Sequence, residues 1–301
     1  MNSRRGEQLN GDLKEHPSQA QLLYKSYQST ATHERREYLL YLPTGYEADG
    51  DKRWPVMLFL HGGGERGNGL EDLDYVLTHG PLAEAWIQRR DLPFIIIGPQ
   101  LPVFGMTDQL RSRQDQPKPR RLPSGCPPRS QEDRPARPMV RAPDPTPTIF
   151  GRTEDYGDEG IEGGWHLCEQ DLLSMVDVTL RDYRADPDRV YLTGLSYGGY
   201  GTWSLATAHP ERWAAIAPVC GTGSTARAHR LAEVQMPIWI WHGGRDPVVK
   251  VQWAYDWAAA LEAADHKTVR FTVHEDVGHA VWVRAYAGED LYQWLLSHRR
   301  G

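Results

Sequence analysis

The sequence predicts an α/β fold, with a mostly parallel central sheet and helices on both of its faces. Three observations predict it. Apolar runs of strand length recur along the chain, segments with helical spacing alternate with them, and most of the runs lack polar alternation. Strands apolar on both faces belong in a sheet that is covered on both sides, which is the parallel case. The 301 residues carry 34 Lys and Arg against 40 Asp and Glu, a net charge of −6, and 40% are hydrophobic. A chain of this length and composition can bury a full core.

The strands are taken in chain order. REYLLYLP (36–43) and WPVMLFLHG (54–62) come first, the second being apolar almost throughout. DLPFIIIGPQ (91–100), RVYLTG (189–194), WAAIAPVC (213–220), PIWIWHG (237–243) and VRFTVHE (269–275) follow. Helical spacing marks PLAEAWIQRR (81–90), where Pro81 suits a first turn. CEQDLLSMVDVTLRDY (168–183) puts Leu172, Leu173, Val176 and Leu180 on one stripe. YGGYGTWSLATAHP (197–210) reads as an amphipathic helix that stops at a proline. VQWAYDWAAALEAA (251–264) and EDLYQWLLSHR (289–299) complete the set.

Residues 1–20 are polar and patternless and read as a flexible tail, leaving 21–301 as one domain. One stretch breaks the alternation. Of the 22 prolines, eleven lie between Pro102 and Pro147. Residues 102–164 are poor in apolar side chains and have no period, which predicts a disordered loop or a lid. From Arg111 to Arg141, eight Arg and one Lys face three acids. Glu154, Asp155, Asp158, Glu159 and Glu162 then follow close behind.

Several classes are excluded. No run of 18 apolar residues exists, so no membrane span is expected. The N-terminus lacks an apolar segment after its arginines, so no secretory signal is visible and a cytoplasmic location is expected. The negative net charge gives no general attraction to nucleic acid. Cys126, Cys168 and Cys220 are too few and too dispersed for a disulfide framework or a zinc site. No His pair has helical metal-ligand spacing, so no metal and no cofactor are expected. HGGGERGNG is not followed by Gly-Lys-Ser/Thr, so it is not a phosphate loop.

The sharpest motif is Gly194-Leu195-Ser196-Tyr197-Gly198. It matches G-x-S-x-G and lies between a strand and a helix. There a tight turn exposes a nucleophilic serine above the sheet. A serine hydroxyl needs a base to take its proton. His279, in the loop after VRFTVHE, is the candidate base, and Asp246, after PIWIWHG, the candidate acid that orients it. All three emerge at the carboxyl ends of strands, where sites form in open α/β sheets. Asp276 and Glu275 are rival acids, but they precede His279 within its own loop. His274 and His209 read as packed or helix-end histidines, and His242 as a neighbour of Asp246. The oxyanion of the transition state needs donors. Tyr197 N–H is one candidate, and the loop His61-Gly62-Gly63-Gly64 offers Gly63, with Gly64 next. His61 reads as a brace for that loop. Trp165 and Trp282 are placed to line a substrate pocket, whereas Trp239, Trp253 and Trp257 read as core.

HGGGERG, TGLSYGGYGTW, HPERWAAIAPVCG, WHGGRDPVV and GHAVW together resemble the α/β-hydrolase esterases labelled "predicted peptidase". These are similar to feruloyl and acetyl-xylan esterases, polyhydroxybutyrate depolymerases and dienelactone hydrolases. The resemblance covers about 36–100 and 165–298. It implies cofactor-free hydrolysis of a small carboxylic ester through Ser196, Asp246 and His279. Dienelactone hydrolases proper use a cysteine nucleophile, so Ser196 argues for an ordinary esterase. The 102–164 insert departs from the family, where that connection is short. A serine peptidase with the same residues, and a non-catalytic binding protein on the same scaffold, are the alternative readings.

Overall fold

The computed structural model describes residues 19–48, 50–105, 117–123 and 161–301. Eight strands form one sheet in the order β1-β2-β4-β3-β5-β6-β7-β8. They are β1 Gln21–Gln28, β2 Arg35–Leu42, β3 Trp54–Leu60, β4 Ile95–Gly98, β5 Ala185–Leu195, β6 Ala215–Val219, β7 Ile238–Gly243 and β8 Val269–His274. From β4 across to β8 the neighbours are parallel. β2 is antiparallel to both β1 and β4, which corrects the parallel reading of REYLLYLP. An unbroken apolar run reports cover on both faces, and β2 has that cover whichever way it runs.

The core divides cleanly by strand alternation. Leu40 of β2, Val56 and Leu58 of β3, Ile97 of β4 and Leu192 of β5 point into one cluster. Leu39, Met57, Phe59, Ile96 and Tyr191 point into the other. The first face is covered by α1 Glu169–Asp182, α2 Tyr197–Ala208, α3 Ala228–Glu233 and α4 Val251–Ala263. The second is covered by the turns 73–87 and by α5 Trp282–Ala287 and α6 Asp290–Leu296. The stripe expected on α1 is seated as predicted, with Leu172 and Val176 buried.

Other expectations change. The 81–90 helix is a short turn, Gly80–Leu82, running into a π-helical turn, Ala83–Ile87. The 91–100 strand shrinks to Ile95–Gly98, because Pro93 cannot donate to a ladder. β1 had no apolar signature, being an edge strand with one exposed face. The helix α2 is not amphipathic. Only Ser204 and Ala208 escape burial.

One contact fastens the N-terminal strand pair to the rest. Asp171, buried in the first turn of α1, accepts hydrogen bonds from Ser29 Oγ (2.6 Å), Thr30 N–H (2.8 Å) and Thr30 Oγ1 (2.7 Å) in the β1–β2 turn. Of the predicted 1–20 tail, 1–18 lies outside the described residues. So do 106–116 and 124–160 of the insert. Its piece 117–123 packs on the 71–87 region. Leu122 N–H donates to Ile87 O (2.9 Å), and the Arg121 guanidinium lies 3.6 Å over the Trp86 ring.

Candidate active site

Ser196 joins β5 to α2 with φ 51° and ψ −117°, a conformation that L-residues rarely adopt. The turn closes only because its flanks lack side chains. A Cβ on Gly194 would lie 2.3 Å from Gly198 O, and one on Gly198 would lie 1.8 Å from Leu60 O. The serine backbone is pinned as well: its N–H donates to Val219 O, and its carbonyl accepts from Tyr200 N–H, both at 3.0 Å.

The structure brings Ser196, His279 and Asp246 together. His279 Nε2 is 2.9 Å from Ser196 Oγ, and His279 Nδ1 is 2.7 Å from Asp246 Oδ2. His279 comes from the turn after β8 and Asp246 from the loop after β7. Gly243 lets those two loops meet, since a Cβ there would sit 2.0 Å from Gly278 O. Asp246 is fully buried. Its Oδ1 accepts the N–H groups of Val248 (2.8 Å) and Val249 (2.9 Å), which leaves Oδ2 to His279. Burial works against its charge. Hydrogen bonds from His242 and His279 outweigh that, and the carboxyl is held well below the usual carboxylate range. A charged Asp246 fixes the proton of His279 on Nδ1 and leaves Nε2 free to accept from Ser196.

The loop after β3 approaches from the other side. Gly63 opens a 3-10 turn, Gly63–Glu65, and Tyr197 opens α2. N–H groups at the start of a helical segment are not used in its ladder. The two positions are in contact: a Cβ on Gly63 would lie 3.1 Å from the Tyr197 ring. At Gly64 the same atom would meet nothing within 4 Å. His61 braces this loop as expected. Its Nε2 accepts from Leu101 N–H (2.9 Å), so Nδ1 carries the proton and donates to Gly62 O (2.6 Å).

Comparison with known proteins bears on the fold. Residues 160–292 match the profile of the Dienelactone hydrolase family. No curated protein matches the sequence. Among solved structures, a thermostable esterase is 22% identical with a TM-score of 0.60, over 93% of this chain and 63% of its own. The chain therefore spans under two thirds of that protein. The CE1 ferulic acid esterase AmCE1/Fae1A of the anaerobic fungus Anaeromyces mucronatus is 16% identical, TM-score 0.56, over 95% and 92%. An acylaminoacyl peptidase of Pyrococcus horikoshii is 14% identical, TM-score 0.53, over 91% and 40%. At such identities the structural likeness carries the fold, and the family profile covers the segment that holds all three side chains. The chain has the α/β-hydrolase fold.

The remaining residues of the site sort by what they touch. Trp282 stands edge-on to His279 (5.2 Å between centroids) and 5.4 Å from the His79 ring, half-buried beside the base. Trp165 is almost fully buried. Its Nε1 donates to His61 O (3.2 Å), and it borders a narrow crevice with Tyr200, Trp203 and Trp257 whose lining omits Ser196, Asp246 and His279. It supports the His61 loop from below. Asp276, the rival acid, is held by both terminal nitrogens of Arg284 (2.8 and 2.7 Å). His209 Nε2 pairs with Glu169 (2.9 Å), and His274 stacks on Trp241. His242 does adjoin Asp246, at 3.5 Å, and reaches Val249 O at 2.8 Å.

Sequence reasoning missed three neighbours. Glu65 is buried beside the loop, 3.7 Å from both His61 and His79. The Arg66 guanidinium covers the Tyr197 ring at 4.0 Å. Both stand inside HGGGERG, so the motif was the available signal. The third is Cys220, buried next to Asp246 and His279. Counting Cys spacing could not find it, because the three groups come from three different loops. No helix among the described residues is long and apolar enough to cross a membrane.

Proposed function

We propose that this protein is a serine carboxylic-ester hydrolase that works through an acyl-enzyme on short-chain or aryl esters. The observation that carries the reading is the unbroken chain Ser196 Oγ, His279, Asp246 at 2.9 and 2.7 Å. His279 Nε2 takes the serine proton as Oγ attacks the ester carbonyl. The N–H groups of Gly63 and Tyr197 receive the oxyanion, with Gly64 as the further donor. The alcohol leaves with the proton held on Nε2, and water then repeats the sequence on the acyl-enzyme. Asp246 keeps the imidazole in the required tautomer and balances the imidazolium. No step calls on a cofactor or metal.

The Trp282 ring beside His279 favours a flat or short acyl group. The likeness to proteins described as ferulic acid esterases points the same way. The likeness to an acylaminoacyl peptidase supports the second reading, amide cleavage by the same residues. We place the protein in the cytoplasm, in keeping with Cys168 and Cys220 being buried and unpaired.

The deciding experiment compares p-nitrophenyl acetate, butyrate and a feruloyl ester with a chromogenic peptide, with and without a serine-directed fluorophosphonate. Ester turnover that stops as the reagent labels Ser196 supports the proposal. Peptide turnover in place of ester turnover supports the second reading. Absence of label and of turnover would point to a binding protein on a hydrolase scaffold.

A further inference from the structure

Under the Ser196–His279–Asp246 chain lies a thiol that ester hydrolysis leaves unused. Cys220 follows directly on β6, is fully buried, and has a positive φ of 41°. Its Sγ, a carboxylate oxygen of Asp246 and a ring nitrogen of His279 all lie within 4.8 Å of one another. A thiolate, an imidazole and a carboxylate form a donor set suited to a borderline-soft divalent cation of the zinc class. We infer that Cys220, Asp246 and His279 form a binding site for such a cation, and that its binding reversibly switches the hydrolase off.

Two features prepare the ligands. Asp246 Oδ1 is anchored by the N–H groups of Val248 and Val249, so Oδ2 is presented in a fixed direction. His279 has Nδ1 on the Asp246 side, while Nε2 is 2.9 Å from Ser196 Oγ. Metal-bound histidines direct their second ring nitrogen at an oxygen in this way. The way in passes His279, whose side chain is 18% exposed, since Asp246 and Cys220 have no exposure of their own.

The proton balance explains the switch. Without metal, Nδ1–H faces Asp246 and Nε2 is the acceptor for the serine proton. A cation on Nδ1 sends that proton to Nε2. Cys220 releases its own proton to solvent and binds as thiolate. Nε2, now protonated, cannot accept from Ser196, and turnover stops.

The inference uses the observed positions of Asp246 and His279, and rests on the ester reading only for its activity readout. The test titrates Co2+ into the full chain and follows the thiolate-to-cobalt charge-transfer absorption. The band is expected in the parent, in Ser196→Ala and in Cys126→Ser, and is expected to vanish in Cys220→Ala and Cys220→Ser. In parallel, Zn2+ should lower ester turnover and a chelator restore it. Cys220→Ser, with inhibition scored as a fraction of its own metal-free turnover, should need at least about tenfold more Zn2+ for equal fractional inhibition. A band that survives both Cys220 variants, or that follows Cys126, overturns the site. Inhibition unchanged in Cys220→Ser overturns the switch. If one Cys220 variant fails to fold, the other carries the comparison. If the protein hydrolyses no ester at all, the cobalt band still decides the site on its own.

Discussion

The two ends of the chain build the site from different materials. Residues 19–105 contribute mainly backbone: the His61–Gly64 loop, held by His61 and underpinned by Trp165, comes up against Tyr197 beside Ser196. Residues 161–301 contribute functional groups, namely the hydroxyl of Ser196, the imidazole of His279 and the carboxylate of Asp246. In the proposed mechanism the second half tolerates no change of chemistry at those positions. The first half tolerates little change of shape, because a Cβ at Gly62 would meet Leu195 at 2.8 Å and one at Gly63 would meet Tyr197 at 3.1 Å. The family profile covers 160–292, the part of the chain that holds these three side chains.

The largest expected effect tests the chemical half. Ser196→Ala should lower kcat for p-nitrophenyl butyrate by about 10⁴-fold or more while the thermal midpoint stays at or above that of the parent. A variant that keeps most of its turnover would remove Ser196 from the mechanism. Asp246→Asn comes next, with a loss of about 10⁴-fold in kcat, because the neutral amide permits the wrong His279 tautomer. The same pair tests a pH effect. The Asp246 carboxyl is depressed in the folded protein relative to an unfolded value of about 3.9, so its charge stabilises the fold above that pH. The contribution fades as pH falls below about 4. Denaturation midpoints of parent and Asp246→Asn should therefore converge in acid. A constant gap from pH 7 to pH 3 would contradict the linkage.

The backbone half should respond more gently. Gly63→Ala must move the Tyr197 ring or the loop by a few tenths of an ångström. We expect kcat to fall about 10- to 100-fold with KM nearly unchanged, since the donor serves the transition state. An effect on KM alone would assign that loop to ground-state binding. Trp165→Phe is the smallest change. It removes the Nε1 bond to His61 O and should lower stability by about 1 kcal/mol in urea denaturation, with a modest loss of kcat. If kcat fell as far as in Gly63→Ala while stability held, Trp165 would have to contact substrate.

Legibility in the sequence followed the same division. The convergence of Ser196, Asp246 and His279 could be anticipated because the proposed chemistry asks for those residue types and strand ends supply their places. β3, β5, β6 and β7 could be read because both faces of each are buried. β1 escaped notice because QLLYKSYQ lies at an edge, half in water. The helix α2 was misjudged as amphipathic because Gly198, Gly199 and Gly201 let it sink against β3, β6 and Trp165, and glycine carries no hydropathy signal for such close approach. Glu65 and Cys220 were out of reach for another reason. Their meaning depends on which loops converge, and no spacing along one segment encodes that.

The Asp171 clasp has a consequence for how the protein is made. Ser29 and Asp171 are 142 positions apart, so the turn that leaves the ribosome first gains its partner only much later. At about 5–20 residues per second, that interval is about 7–30 s. For about the first half of this time β1 and β2 can pair with each other but have neither α1 nor β4 against them. An unfastened two-stranded ribbon is marginally stable and offers open strand edges. The early chain is therefore a natural client for a chaperone, and the hazard ends when the first turn of α1 emerges and closes around Ser29 and Thr30.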